Sequence, residues 1–428
     1  MLLALILVVL IIVLLTGLPI FAGLGLMSMA LLLIFEGQIG SLGEIVFAKL
    51  NIYLLVAVPL FALMAHIMVK SRVIDDLYKA AHTLVRHLPG GLGVATVLSC
   101  TVFAAISGSS VATALTIGTS AMPQMRRYGY RSQEIYGVIA AGGTLGILIP
   151  PSGPMILYAI VSGTSIGALF IGGIIPGLII AVLFSAYSVF SARWQPDLTS
   201  EPRASMSEIL HTLQKAFWAL ILPPVVLGGM YFGVFTATEG AAIGTVMSIL
   251  ITTLIYRDLT PKDLFEAAYD ATRMSAMLFM LIAAAAMFSH ALTIMRLPNE
   301  LVEWVVGGGV SQLVFILAVM ALIVVLGMFL ETIAIILITT PIVMPALIAY
   351  DINPVWYGIL LMINLEMALI TPPVGLNLFV IKGIAQAPLG EVIRGALPYV
   401  LLMMLGLLIV LAFPQVTLWL PSTMGYGR

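Results

Sequence analysis

This chain has very little charge, and that scarcity sets its class. Only 9% of its 428 residues are Asp, Glu, Lys or Arg, against about 25% in soluble domains. Mean hydropathy is correspondingly high, at +1.17. Its single cysteine, Cys100, excludes an internal disulfide and reads as a small apolar residue near a helix end. The formal net charge of -1 says nothing about partners, and no nucleic-acid partner is expected. No Gly-x-x-x-x-Gly-Lys string occurs, so ATP hydrolysis within the chain is unsupported. No His-Glu-x-x-His occurs either, and membrane hydrolases are not favoured. Nothing resembles a selectivity filter or a ring of like charges, which leaves a channel without support. The expectation is a protein that is not an enzyme and carries no cofactor. The N-terminus lacks a basic region, and its apolar run is too long for a cleaved signal, so it reads as a retained span.

Long apolar runs are plentiful instead. Hydrophobic residues make up 61% of the sequence, and runs of about 17–25 residues, enough to cross a bilayer, recur from end to end. Candidate spans are residues 2–35 with a kink at Gly17-Pro19, then 52–69, 135–160, 167–192, 216–235, 239–256, 274–295, 355–381 and 396–413. The 24 methionines read as core filling. The expected fold is an all-α polytopic membrane protein.

Two blocks 222 residues apart share one pattern without a gap. Ala112, Leu115, Met122, Pro123, Tyr128, Pro150, Pro151 and Gly153 meet Ala334, Leu337, Met344, Pro345, Tyr350, Pro372, Pro373 and Gly375. Each block places a polar tip inside apolar sequence, at Ser107–Thr113 and at Leu330–Ala334, and follows it with a Pro-Pro break. Apolar arms of about 14 residues flank the first tip. Such an arm reaches about 21 Å, less than a hydrocarbon core of about 30 Å. Both segments are therefore expected to enter and return on one side, as helical hairpins over about 93–125 and 313–348.

Charge then orients the chain. With two such hairpins and single crossings elsewhere, fifteen of the eighteen Lys and Arg fall on one side, which the positive-inside rule makes cytoplasmic. Only Lys49, Arg296 and Arg428 fall outside. The first hairpin is flanked by Lys70, Arg72, Lys79 and Arg86, then by Arg126, Arg127 and Arg131. The second is flanked by Glu300, Glu303 and Asp351. The two repeats therefore carry opposite orientation. The first is read as 1–193, with a broken helix at 135–160, and the second as 216–428, with a broken helix at 355–381. The polar segment 194–215, with Pro196, Asp197, Ser200, Glu201 and Pro202, reads as the linker between them. Ser71–Lys79 and Pro261–Glu266, with Thr260 as a cap, read as amphipathic helices lying on lipid headgroups.

The tips and breaks carry the chemistry. Ser107, Ser109, Ser110 and Thr113 offer hydroxyls around Gly108, and hydroxyls and carbonyls are hard oxygen donors suited to sodium. Pro150 and Pro151 lack N–H groups, so carbonyls near Gly146 and Ile147 lose their helical donors, and Ile149 is pushed out of helical geometry. The second repeat puts Ala368, Leu369 and Thr371 in the same situation. Beyond each break a helix restarts near Ser152-Gly153 or Val374-Gly375. Its free N–H groups and positive end suit a carboxylate, and Asn377 stands two residues into the second restart. In a membrane, freed backbone groups must be buried or must bind something, and secondary transporters build their sites in this way. Glu331 and Glu366 are acids at membrane depth, candidates for cation binding, proton carriage or helix capping. Glu239 reads as a solvated cap. His66 and His290 read as satisfied core histidines, with nothing supporting haem ligation.

Three stretches carry a family resemblance: Gly108-Ser109-Ser110-Val111-Ala112-Thr113, Gly146–Gly153, and Thr371-Pro372-Pro373-Val374-Gly375-Leu376-Asn377-Leu378-Phe379. In these the chain resembles the large membrane subunit of tripartite ATP-independent periplasmic (TRAP) transporters, over nearly its whole length. The resemblance implies a sodium-driven elevator related to divalent-anion symporters, with two inverted repeats that each hold a re-entrant hairpin and a broken helix. It implies a separate small membrane subunit, a periplasmic substrate-binding protein and a small organic-acid substrate, such as a C4-dicarboxylate or an acidic sugar. It also implies a multi-pass location in the bacterial inner membrane. Carried over by position, one sodium lies among Ser109, Ser110, Gly146, Ile149 and Pro151. A second lies among Thr332, Ala368, Thr371 and Pro373. Substrate lies near Ser152, Gly153, Gly375 and Asn377.

Two other readings remain open on the residues. One is a self-sufficient sodium/dicarboxylate symporter of the divalent-anion type. The other is a proton-coupled channel or exchanger that uses Glu331 and Glu366.

Overall fold

The computed structural model describes residues 2–195, 198 and 201–425. The expected first span is a pair of helices, α1 (Leu2–Leu15) and α2 (Ile20–Phe35). They part where Gly17 takes a φ of 84° and Pro19 has no amide to donate. Next come α3 (Leu42–Leu50), a tight turn at Tyr53–Val56 and α4 (Ala57–Val69), bent by 62° between α3 and α4. The sequence reading had missed α3. A short helix, α5 (Val73–Val85), leads to α6 (Gly91–Ser107), α7 (Ser110–Arg127), α8 (Ser132–Leu148), α9 (Gly153–Ser162) and α10 (Ile166–Ala192).

The second half opens with α11 (Met206–Tyr231), α12 (Ala237–Leu250, with a wider turn over Ile251–Ile255), α13 (Pro261–Ile294) and α14 (Leu297–Gly307). It continues with α15 (Gln312–Gly327), α16 (Thr332–Ala349), α17 (Pro354–Leu369), α18 (Leu376–Ala385), α19 (Leu389–Ala412) and α20 (Gln415–Ser422). Among the described residues, seven segments are long and apolar enough to cross a membrane, with α8 and α9 counted together. The bent α3–α4 pair makes an eighth. The chain is an all-α, multi-pass membrane protein.

Three expectations need correction. Residues 206–215 are not linker: Ser205 caps α11 by accepting a hydrogen bond from the Glu208 amide, and the helix runs on from Met206. Pro196, Asp197 and Ser200 lie outside the described residues. The Pro261–Glu266 stretch is no separate helix on the lipid. Thr260 and Asp263 form a capping box that starts the 34-residue α13. α5 is amphipathic as expected, but its apolar face, Val73, Ile74, Leu77 and Tyr78, is buried against α6 and α11, so it docks on protein. A Gly-x-Ser-x-Gly string, Gly163–Gly167, is also present; there Ser165 accepts from the Ala168 amide as the cap of α10.

The interior is built around α8 and α17. Every residue from Ile135 to Leu148 and from Val355 to Leu369 is buried. α6, α7 and α19 pack on α8, and α15 and α19 pack on α17. Lipid supplies little hydrophobic drive between helices, so close backbone approach through small residues has to hold them. A methyl group on Gly137 would lie 2.1 Å from the Gly395 carbonyl oxygen, and one on Gly142 would lie 2.7 Å from Cys100 Sγ. Cys100 is thus a packing partner of α8.

The 222-residue offset recurs in the elements. Ser110–Arg127 and Thr332–Ala349 correspond end to end, and α8 and α17 begin at matching positions. α5 and α14 also correspond within about two residues, and α14 had not been anticipated.

Candidate functional site

The first tip is shaped by Gly108, whose φ of 59° closes α6, and by Ser109, whose extended backbone opens α7. Ser109 Oγ accepts from the Ala112 amide at 3.4 Å. Thr113 Oγ1 donates to the Ser109 carbonyl and shares a hydrogen bond with Ser107 Oγ, both at 2.8 Å. The tip is therefore a closed ring of hydroxyls and carbonyls.

This tip sits on the first break. A methyl group on Gly146 would lie 2.5 Å from the Ser109 carbonyl oxygen, and one on Gly108 would lie 2.5 Å from the Pro151 carbonyl oxygen. Only glycine at both positions lets the two backbones close. Ile149 caps α8 through its amide on the Leu145 carbonyl at 3.0 Å. Pro150 and Pro151 have no amide for the carbonyls of Gly146 and Ile147. Ser109, Gly146 and Pro151, expected to share an ion, are neighbours through their backbones.

The second tip differs. Glu331 holds the cap position of α16 but makes no side-chain cap bond, so the capping role considered for it is not what the structure shows. Thr332 is buried. The second break is longer, with six residues between Leu369 and Leu376 against four between Leu148 and Gly153. Thr371 turns back within it, its amide on the Ala368 carbonyl at 3.1 Å and its hydroxyl on the Met367 carbonyl at 2.6 Å. A methyl group on Gly375 would crowd the carbonyls of Thr371 and Leu369, at 3.0 and 3.1 Å. Gly327 of α15 meets Ala368 closely enough that an added methyl would lie 2.4 Å from its Cβ. Pro150-Pro151 and Pro372-Pro373 are both cis.

One link crosses between the halves. Ser110 Oγ donates to Glu366 Oε1 at 2.5 Å. Glu366 has no exposed surface, and its Oε2 has no partner among the described residues. Sequence reasoning named both residues but could not pair them, because 256 positions separate them. Nearby on the same helix, Asn364 Nδ2 donates to the Met320 carbonyl at 2.7 Å, while its Oδ1 is unpaired.

The expected substrate residues are not gathered at one surface. Ser152 is fully buried, its Oγ accepting from the Met155 amide as the cap of α9. Asn377 is also fully buried, with Nδ2 on the Ala140 carbonyl at 3.3 Å and Oδ1 unpaired. Gly153 alone of the four lines a cleft of about 140 Å³ beside the first tip. Its walls are Ser107–Ser109 of the tip, Pro151 and Ile156 at the break, Phe61, Ala62 and His66 of α4, and Met274 and Leu278 of α13. His66 is the one ionisable residue among those lining it, and it has no hydrogen-bond partner among the described residues. The expectation of a satisfied core histidine does not hold there. A helical turn that presents His66 beside Ala62 was the only sequence signal available. No cluster of three or more His, Cys, Asp or Glu that could hold a metal occurs among the described residues.

Residues 7–416 match the family described as tripartite ATP-independent periplasmic transporter, DctM component. The C4-dicarboxylate TRAP transporter large permease protein DctM of Pseudomonas aeruginosa is 39% identical over 398 residues, covering 93% of each chain. The protein of the same name from Vibrio cholerae is 36% identical, covering 98% of this chain and 97% of its own. Among solved structures, the Alcanivorax borkumensis YdaH transporter superposes with a TM-score of 0.65 over 91% of this chain and 89% of its own. At 15% identity that likeness concerns the fold.

Proposed function

The chain belongs to the DctM family of TRAP transporter large permeases, multi-pass proteins of the inner membrane, and from that premise we infer that it imports a small organic anion driven by sodium. The nearest class to test is the C4-dicarboxylates, the substrate named for both relatives. A periplasmic binding protein would deliver the substrate, and a small membrane subunit would complete the permease. The observation that carries the reading is the closure of the first tip on the first break, where Ser109, Gly146 and Pro151 approach backbone to backbone.

The donor set fits sodium. It consists of neutral oxygens, and the prolines leave several of them without helical partners. One ion would be held by Ser109, Ser110, Gly146, Ile149 and Pro151, and a second by Thr332, Ala368, Thr371 and Pro373. Bound there, sodium supplies positive charge beside an anion and a share of the membrane potential, about 2.3 kcal/mol per charge per 100 mV. The first ion would fix the tip against the break, and this fixes the wall of the cleft that Gly153 and Ser109 line. The two repeats, 1–193 and 216–428, would be inverted, each with a re-entrant hairpin, and tips and breaks would travel together as an elevator against the rest. Ser152, Gly153, Gly375 and Asn377 would frame the substrate from the helix restarts.

Proteoliposomes that hold this chain with its small subunit, supplied with binding protein and labelled succinate, test the reading. Uptake is expected only with an inward sodium gradient and is expected to be lost in the Ser109→Ala, Ser110→Ala double variant. Uptake indifferent to sodium, or intact in that variant, overturns sodium coupling at this site.

A further inference from the structure

We propose that His66 is a substrate-contacting, specificity-determining residue that donates a hydrogen bond to the anion in the cleft that the first hairpin tip also lines. The inference rests on the organic-anion reading above and adds to it a contact from α4, outside both repeated motifs.

Three observations carry it. The walls of the cleft are largely apolar, from Val58, Phe61, Ala62, Ile156, Met274 and Leu278. Such a pocket fixes a ligand through a few placed polar groups. On the α4 side that group is His66, half-buried and without a partner among the described residues. The same cleft is lined by the tip residues Ser107–Ser109 and by Gly153, the first residue of α9. A dicarboxylate has two anionic ends, and the cleft is lined by two kinds of donor, an imidazole and the groups of the tip and the helix restart. An imidazole carries at least one N–H donor whether neutral or charged, so it can serve a carboxylate in either state. In a largely apolar cleft, a half-buried imidazole is one of the few side chains able to hydrogen-bond a ligand. His290, on α13, is half-buried too but does not line this cleft.

The test uses the same proteoliposomes, with sodium saturating. His66→Leu keeps bulk and loses the donor. His66→Gln keeps a donor. A hydrogen bond to a charged group is worth a factor of about ten to a hundred. The KM for succinate should therefore rise at least tenfold in H66L, with little change in maximal rate. H66Q should stay within about threefold of the wild type, and half-saturation by sodium should not move in either. A second arm places a thiol in the cleft with His66→Cys in a Cys100→Ala background. Its reaction with a small methanethiosulfonate should slow when succinate and sodium are added together. An H66L KM within twofold of the wild type overturns the proposal. So does an H66Q variant as impaired as H66L, or thiol labelling indifferent to succinate while the wild type transports it. If H66L does not insert, H66Q and the thiol arm decide. A wild type that takes up no succinate overturns the substrate class itself, and the contact with it, which separates that failure from the others.

Discussion

Glu366 is fully buried, and its one side-chain hydrogen-bond partner comes from the other half of the chain. Ser110 Oγ reaches it from the start of α7, and nothing among the described residues meets its second oxygen. A buried acceptor left unsatisfied costs about 1–3 kcal/mol, so Ser110→Ala should lower stability by about that much in sodium-free buffer. Replacing Glu366 by Leu removes the group that needs a partner. In that background Ser110→Ala should cost little, and a double-mutant cycle on thermal midpoints should give coupling of about 1 kcal/mol or more. Additive losses would show that the two side chains do not depend on each other. Measuring without sodium matters, because Ser110 is also a proposed ion ligand.

At the scale of elements, the boundaries of α6, α7, α8, α16 and α17 were legible because glycine, proline and capping residues mark their ends. Gly108 and Ser109 stop one helix and start the next, and Asn353 and Pro354 open α17 by a cap and a ready-made φ. The continuity of α13 was not legible: a polar first turn followed by an apolar run reads as two helices, although the capping box at Thr260 starts only one. The docking of α5 was hidden too, since an amphipathic face does not say whether lipid or protein covers it. Once docked, α5 joins a clasp at the base of the first hairpin. Arg86 makes a bidentate pair with Glu208 at 2.6 and 2.9 Å and donates to the Pro202 carbonyl at 2.9 Å. Tyr128, which ends α7, donates to Glu201. His82 stands between these groups, 3.9 Å from Glu201. Burial holds its pKa below the ordinary 6.5; Glu201 pulls the other way, and Arg86 adds to the lowering. The folded state thus prefers neutral His82. Its contribution is complete above pH 6.5 and is lost as pH falls below that toward the folded pKa, because the unfolded chain takes the proton first. Thermal midpoints should therefore drop more between pH 7.5 and 5.5 in the wild type than in His82→Gln. Parallel pH curves would mean that His82 is not desolvated in the clasp.

Over the whole molecule, repetition and orientation are separate matters. The repetition is visible twice, in residues at one offset and in helices α6–α10 that recur as α15–α19. Orientation rests on charge alone: the topology expected from the sequence would put fifteen basic residues on one side against three, with acidic flanks around the second hairpin. A bilayer reads that imbalance during insertion, whereas a fold without a membrane does not record it. Gln133 and Gln312 are both exposed and lie in the first turns of α8 and α15, at the bases of the two hairpins. Replacing the fully buried Cys100 by Ala removes one sulfur that packs against Gly142, at a cost of about 1 kcal/mol. In this cysteine-free background, Gln133→Cys should react with a membrane-impermeant maleimide only from the cytoplasmic side, and Gln312→Cys only from the opposite side. Labelling of both from one side would remove the proposed inversion of the repeats. Labelling from opposite sides, as predicted, leaves the unequal tips, two serines at one and Glu331-Thr332 at the other, as the remaining source of asymmetry between the two proposed ion sites.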